Sequence, residues 1–214
     1  MKVNSLDYWV KKNLTKIKES NLHRTLVEIS SSMSPEVIIN KKSCYQFASN
    51  NYLGLTTNPK VINSSISSAS KYGVGTGGSR LVTGTSSLHR KLEEEIASFK
   101  KTEDSIVFSS GYLASIGTIP SIMSKKDIIF SDELNHACLI DGARLAGSKI
   151  VIYKHSDMVD LKKKLQKYKS NKEKKMILTD SVFSMDGDIA PLDKIVELCD
   201  EYDCISMIDE AHAT

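Results

Sequence analysis

Between Thr102 and Thr214, short apolar runs rich in β-branched residues alternate with longer stretches of helical period. The runs are 106–108, 128–130, 150–153, 176–178 and 205–208; the helical stretches fall near 112–123, 136–146, 157–169 and 191–202. Runs that are apolar at nearly every position are buried on both faces, so the alternation predicts a three-layer α/β fold around a mainly parallel sheet. Ligands of such sheets bind outside the carboxyl ends of the strands. Polar residues therefore matter most just past each run: 109–112, 131–136, 180–187 and 209–212.

Upstream the pattern is less regular. Leu6, Trp9, Val10, Leu14 and Ile17 fall on one face of a predicted amphipathic helix over 6–26. A serine cluster and Pro35 end it, and runs at 37–39 and 45–47 around the polar turn 40–42 predict a hairpin. Residues 1–48 read as a helix-and-hairpin arm, and 49–214 as the first part of a large domain. Pro59 opens a helix to Tyr72, and Ser86 or Ser87 caps another that runs to Lys100. Between them, residues 73–80 spell G-x-G-x-x-G. A helix precedes the motif where a dinucleotide fingerprint needs a strand, so it reads as a loop of unusual backbone dihedrals lining a site.

Composition narrows the choice of function. Twenty-nine basic and 26 acidic residues leave a formal charge of +3 on 214 residues, which does not mark a nucleic-acid specialist. The eight lysines of 162–175 surround Leu161, Leu165 and Tyr168 at helical spacing, the pattern of a solvated helix face. Cys44, Cys138, Cys199 and Cys204 form no C-x-x-C pair and read as reduced thiols. No zinc-ligand spacing joins the five histidines, so no metal is expected. No run approaches about twenty apolar residues, and the start of the chain lacks a signal-type core. A cytoplasmic protein without a membrane or nucleic-acid partner is expected.

The strand-end residues have physical candidate roles. Asp209-Glu210-Ala211-His212 would hold magnesium in a nucleotide-hydrolysing motor, but no glycine is followed by the lysine of a phosphate loop. Alternatively, a strand-end carboxylate pairs with a pyridinium nitrogen, as pyridoxal phosphate requires, or merely caps the next turn. Ser109-Ser110-Gly111 opening a helix offers free N–H groups to a phosphate, or only a cap. His136 can stack on an aromatic ligand or cap its own helix. Ser184 sits in a turn where its hydroxyl can bond a ligand oxygen or its own backbone. His212, three residues past Asp209, can reach the phenolic oxygen of a ring whose nitrogen Asp209 holds.

With those residues in view, the chain resembles the α-oxoamine synthases, pyridoxal-phosphate acyltransferases of the aspartate-aminotransferase fold (fold type I). Blocks 49–55, 75–80, 131–142, 182–188 and 209–212 match family motifs in order, and coverage runs from about residue 20 to the end. Blocks 80–89 and 108–114 are most similar to the 8-amino-7-oxononanoate synthases of biotin synthesis. The resemblance implies a decarboxylative condensation of L-alanine with a pimeloyl thioester, carried by coenzyme A or acyl carrier protein, in a homodimer. Another α-oxoamine synthase, such as glycine C-acetyltransferase, is the alternative. It also implies that Asp209 binds the ring nitrogen, His136 stacks on one ring face with Ala211 against the other, and His212 and Ser184 meet the phenolic oxygen. The Gly111 and Tyr112 amides would hold the phosphate. Arg24 and Asn50 would meet the amino-acid carboxylate, and Gly77 would shape the thioester entrance. His136, Asp209 and His212 are thus the implied catalytic residues. Asp180, Cys138 and Ala213 depart from the usual Glu, Ser and Gly or Ser. The family's Schiff-base lysine lies beyond Thr214, so this piece alone is expected to be inactive and prone to aggregate, or to be a remnant.

Overall fold

The computed structural model describes residues 5–169 and 172–214. The first four residues of the arm and residues 170–171 of the lysine-rich tract lie outside the described residues. By internal contact the chain divides into two units, Met1–Gly75 and Thr76–Thr214. The division falls in the glycine-rich segment, whereas the sequence reading separates an arm ending near residue 48.

The first unit holds helix α1 (Ser5–Glu19), strands β1 (Glu36–Ile39) and β2 (Lys42–Tyr45), a 3₁₀ turn (Leu55–Thr57) and helix α2 (Pro59–Tyr72). Helix α1 stops well short of residue 26. Asn21 turns left-handed at φ 56°, and the Leu22 amide returns to the Ile17 carbonyl at 2.9 Å, a helix-terminating motif that asparagine tolerates. The hairpin is tighter than expected, with its second strand beginning at Lys42 rather than Tyr45. Asn40 and Lys41 both have positive φ, 50° and 63°, which closes the turn in two residues and matches the twist of the strands. Helix α2 spans the expected residues; its cap is Asn58, whose side chain accepts from the Lys60 amide at 2.9 Å.

The second unit carries the alternating pattern. Helices α3 (Ser87–Lys100) and α4 (Gly111–Ile122) precede β3 (Ile128–Asp132), α5 (Ala137–Ala146), β4 (Lys149–Tyr153), α6 (Met158–Gln166), β5 (Lys175–Asp180), α7 (Leu192–Tyr202) and β6 (Ile205–Asp209). The four strands form a parallel sheet in the order β4-β3-β5-β6. Strands β3 and β5 occupy its centre and are buried at every position. Alternation along them feeds two layers of core. Ile128, Phe130 and Ile177 pack with Leu161, Leu165 and Ile195 on one side, and Ile129, Met176 and Leu178 with Ile119 and Leu139 on the other. Gly142 of α5 lies against α4 so closely that a Cβ there would meet the Ser115 carbonyl oxygen at 2.9 Å.

One expected strand does not form. Residues 106–108 have no ladder partner among the described residues, and Ile106 is exposed. A strand needs a neighbour to satisfy its amides. Here the Val107 amide instead donates to the carboxylate of Glu93, at 3.1 Å.

Candidate functional site

Parallel order brings the carboxyl ends of β3, β5 and β6 to one edge of the sheet. Asn135 stitches two of them together. Its Nδ2 donates to the Leu178 carbonyl at 2.8 Å and to Ser131 Oγ at 2.9 Å, while its Oδ1 accepts the Asp180 amide at 3.1 Å. Asp180 lies opposite Asp209 in the β5–β6 register. Ser181 secures the third strand end, its amide and hydroxyl both donating to the Asp209 carbonyl at 2.8 and 2.9 Å.

Cys138 is the meeting point of two predicted site residues. Its sulfur lies 2.9 Å from His136 Nδ1 and 3.8 Å from Asp209 Oδ2, and Ser115 Oγ approaches it at 3.4 Å. His136 also caps α5, its Nδ1 accepting the Cys138 amide at 3.2 Å, so the capping role left open by the sequence is realised. The His136 amide donates to Asp180 Oδ2 at 2.8 Å. Asp209 Oδ1 accepts the Ala211 amide at 2.9 Å. Burial pushes the Asp180 carboxyl above its ordinary range; the His136 amide bond opposes this and the charge of Asp209 adds to it. Burial likewise pushes the Cys138 thiol up. His212 belongs to the same electrostatic neighbourhood, its charge drawing Asp180 downward.

Leu134, Asn135, His136 and Ala137 form one wall of a cleft of about 230 Å³. Asp180 and residues 183–186, Ser184 among them, form the other. Ser110 begins α4, its hydroxyl accepting the Leu113 amide at 3.1 Å and its carbonyl the Ala114 amide at 3.0 Å. The Gly111 and Tyr112 amides before them have no intrahelical acceptor, and the space that a Gly111 side chain would fill is open. The Tyr112 hydroxyl is tied to Asp141 of α5 at 3.1 Å. A larger depression of about 450 Å³ lies on the outer layer between α6 and α7. Its rim carries the Lys162–Glu201 ion pair at 2.8 Å, with Leu161 and Leu165 buried beneath, as expected of a solvated lysine face.

Arg24 and Asn50 belong to the first unit and are exposed there. Gly77 has a left-handed φ of 69°, in keeping with a loop of unusual dihedrals. Sequence reasoning assigned no role to Glu93, Asn135 or His155. Glu93 is 2% exposed and holds Arg80 through two bonds, 2.7 and 3.0 Å. Arg80 first, and then the Val107 amide, draw its carboxyl down to about 2. The available signal was Arg80 itself, a cation following a glycine loop, with acids on the next helix. All four cysteines are free, and burial raises Cys199 and Cys204 to about 11 and about 12. No helix among the described residues is long and apolar enough to cross a membrane.

Comparison with known proteins identifies this architecture. The model of the family described as "Aminotransferase class I and II" matches residues 42–214. The chain belongs to that family. Among curated relatives, 8-amino-7-oxononanoate synthase from Lysinibacillus sphaericus is 53% identical over 204 residues, covering 95% of this chain and 52% of that protein. 8-amino-7-oxononanoate synthase 2 from Bacillus subtilis is 45% identical, covering 98% and 54%. The chain thus spans about half the length of the curated relatives it matches. Among solved structures, serine palmitoyltransferase from S. paucimobilis with a bound PLP–myriocin aldimine superposes with a TM-score of 0.88 at 30% identity, covering 99% of this chain and 54% of that one. An 8-amino-7-oxononanoate synthase from Francisella tularensis superposes with a TM-score of 0.60, also at 30% identity, over 71% and 41%. The type I fold expected from the sequence is therefore the observed one.

Proposed function

We propose that this chain supplies the coenzyme-binding part of a pyridoxal-phosphate-dependent α-oxoamine synthase of the 8-amino-7-oxononanoate type. That enzyme condenses L-alanine with a pimeloyl thioester and releases carbon dioxide and the free thiol. The observation that carries the reading is the convergence of Asp209 and His136 on Cys138 at the strand ends. The residues fit the coenzyme in their chemistry. An anionic group suits the first-turn amides of α4, which have no acceptor within the helix. A cationic ring nitrogen suits Asp209, because a positive charge there offsets the repulsion between Asp209 and Asp180.

Bound pyridoxal phosphate supplies an electron sink for negative charge developing at the amino acid's α-carbon. Asp209 keeps the proton on the ring nitrogen. His136 and Ala211 cover the ring faces, His212 and Ser184 donate to the phenolic oxygen, and the Gly111 and Tyr112 amides take the phosphate. Asn50 and Arg24 receive the substrate carboxylate, with Asn50 reaching the site of the other subunit in a homodimer. Gly77 shapes the thioester entrance. No lysine lines the cleft among the described residues, so the 214-residue chain assayed alone is expected to be inactive.

The test is D209A in the full-length protein, with D209N beside it. Loss of a charge placed at the reacting centre lowers condensation by about 10²–10³-fold or more. Undiminished turnover in D209A overturns the reading. Structural likeness to serine palmitoyltransferase supports a second reading within the same chemistry. Assaying L-alanine with pimeloyl thioesters against L-serine with palmitoyl-CoA, and against glycine with acetyl-CoA for the glycine-using alternative, separates the three; the 53% relative favours the first pair.

A further inference from the structure

We propose that His155 is a positioning residue whose imidazolium staples the two walls of the strand-end cleft together, so that coenzyme retention weakens when this ring gives up its second proton. The proposal rests on the coenzyme reading above only for the identity of the ligand.

His155 lies two residues beyond β4 and does not line the cleft, yet it touches the segments that build both walls. Its Nδ1 lies 2.9 Å from Asp132 Oδ1, at the end of β3 where the 134–137 wall begins. Its Nε2 lies 2.6 Å from Asp188 Oδ2, in the turn that presents residues 183–186. The ring also packs edge-on against Phe183, with centroids 4.4 Å apart and planes at 85°. One side chain therefore holds both ends of the Ser184 turn. The turn is otherwise closed by the Phe183 amide on the Asp188 carbonyl at 3.0 Å, the Gly187 amide on the Phe183 carbonyl at 2.7 Å, and a single bridge between Val182 and Ile189.

Both ring nitrogens face carboxylates. A neutral imidazole has one N–H and one lone pair, so it can donate to only one of them. The other nitrogen would then turn its lone pair on an anion, and one wall would lose its tie. Among the described residues, the neighbouring acids act as acceptors and not as donors to that nitrogen. Glu133 Oε1 accepts the His155 backbone amide at 2.9 Å, and Asp160 accepts the Lys154 amide at 2.9 Å. Asp132 is already engaged with the Leu134 and Ser156 amides, both at 2.9 Å, and is 3% exposed. The second oxygen of Asp188 is buried without a hydrogen-bond partner, so that carboxylate has His155 as its side-chain tie.

Burial opposes protonation of His155, but its bonds to Asp132 and Asp188 outweigh burial and hold the imidazole above its ordinary value. With the folded value raised, the staple is complete below the ordinary imidazole range. It is lost as pH rises through the folded value.

The experiment uses the full-length protein and two readouts between pH 6 and pH 9: pyridoxal phosphate affinity by absorbance titration of the apoprotein, and hydrogen-exchange protection factors, corrected for the intrinsic rate at each pH, of the Phe183 and Gly187 amides without coenzyme. In the wild type, affinity is expected to fall by about tenfold toward the alkaline end, with the protection factors falling in step. H155Q, whose amide cannot span both carboxylates, should show the alkaline behaviour at every pH. D188N is the decisive variant. Its amide can donate to the lone pair of a neutral Nε2, so the staple needs no second proton and both pH dependences should flatten near the acid-side values. Protection factors and affinity that stay constant with pH in the wild type, or a D188N profile that still falls, overturn the proposal. If H155Q does not fold, the wild-type and D188N series decide alone. A protein that binds no coenzyme at any pH, yet shows the expected exchange pattern, counts against the coenzyme reading and not against the staple.

Discussion

The two units use helices of similar amphipathic pattern and differ in what those helices bury. In the first, α1 and α2 bury no residue, and Val37 is the only apolar side chain withdrawn from solvent among the described residues. Trp9 is 61% exposed and Leu14 40%. In the second, Leu161 and Leu165 of α6 are fully covered, because a sheet lies beneath them. Periodicity makes a face; burial requires something to receive it. Energetic weight should therefore sit almost wholly in the residues after 75.

The sharpest way to break that contrast is a pair of truncations. Phe130→Ala removes a fully buried ring from the central strand and should cost about 3–5 kcal/mol in urea unfolding. Leu14→Ala on α1 should change stability by less than about 0.5 kcal/mol in the same measurement. Equal effects would dissolve the distinction between the units. Gly142→Ala comes next, since a Cβ there meets the α4 backbone. A loss of about 1–3 kcal/mol is expected from overpacking.

Glu93 probes a third regime, in which a buried ion pair rather than a sheet fixes the chain around 106–108. Its carboxyl is depressed to about 2, so its contribution is present above the ordinary Glu range and is lost as pH falls through about 2. Unfolding midpoints followed from pH 5 to pH 2 should drop in the wild type and change less in E93Q. The hairpin offers an effect of the opposite sign. Lys41 holds a left-handed φ of 63°, so Lys41→Gly should stabilise the first unit by about 0.5–1 kcal/mol, read from exchange of the β1–β2 amides.

Much of the candidate site was legible because its residues sit where an apolar run ends. The Asp209 and His136 positions follow from that rule, and the caps Ser86 and Ser110 from their place before a helical period. What escaped notice were residues that act across the fold. Asn135 was visible as part of a polar block, but its role depends on reaching Leu178 and Asp180, more than forty positions away. His155 had no local signal at all, since neither Asp132 nor Asp188 is near it in sequence. The expected strand at 106–108 failed for the converse reason: its residues favour extension, but among the described residues no strand pairs with them.

The sequence by itself determined the alternation of strands and helices, their parallel sense and the edge at which polar groups gather, because periodicity and turn chemistry are local properties of the chain. Only the tertiary structure decided which acids share a neighbourhood, that Cys138 joins His136 to Asp209, and that an imidazole two residues past β4 meets both Asp132 and Asp188. Such contacts depend on strand order and register, which bring distant residues within hydrogen-bonding reach and leave no period in the chain to announce them.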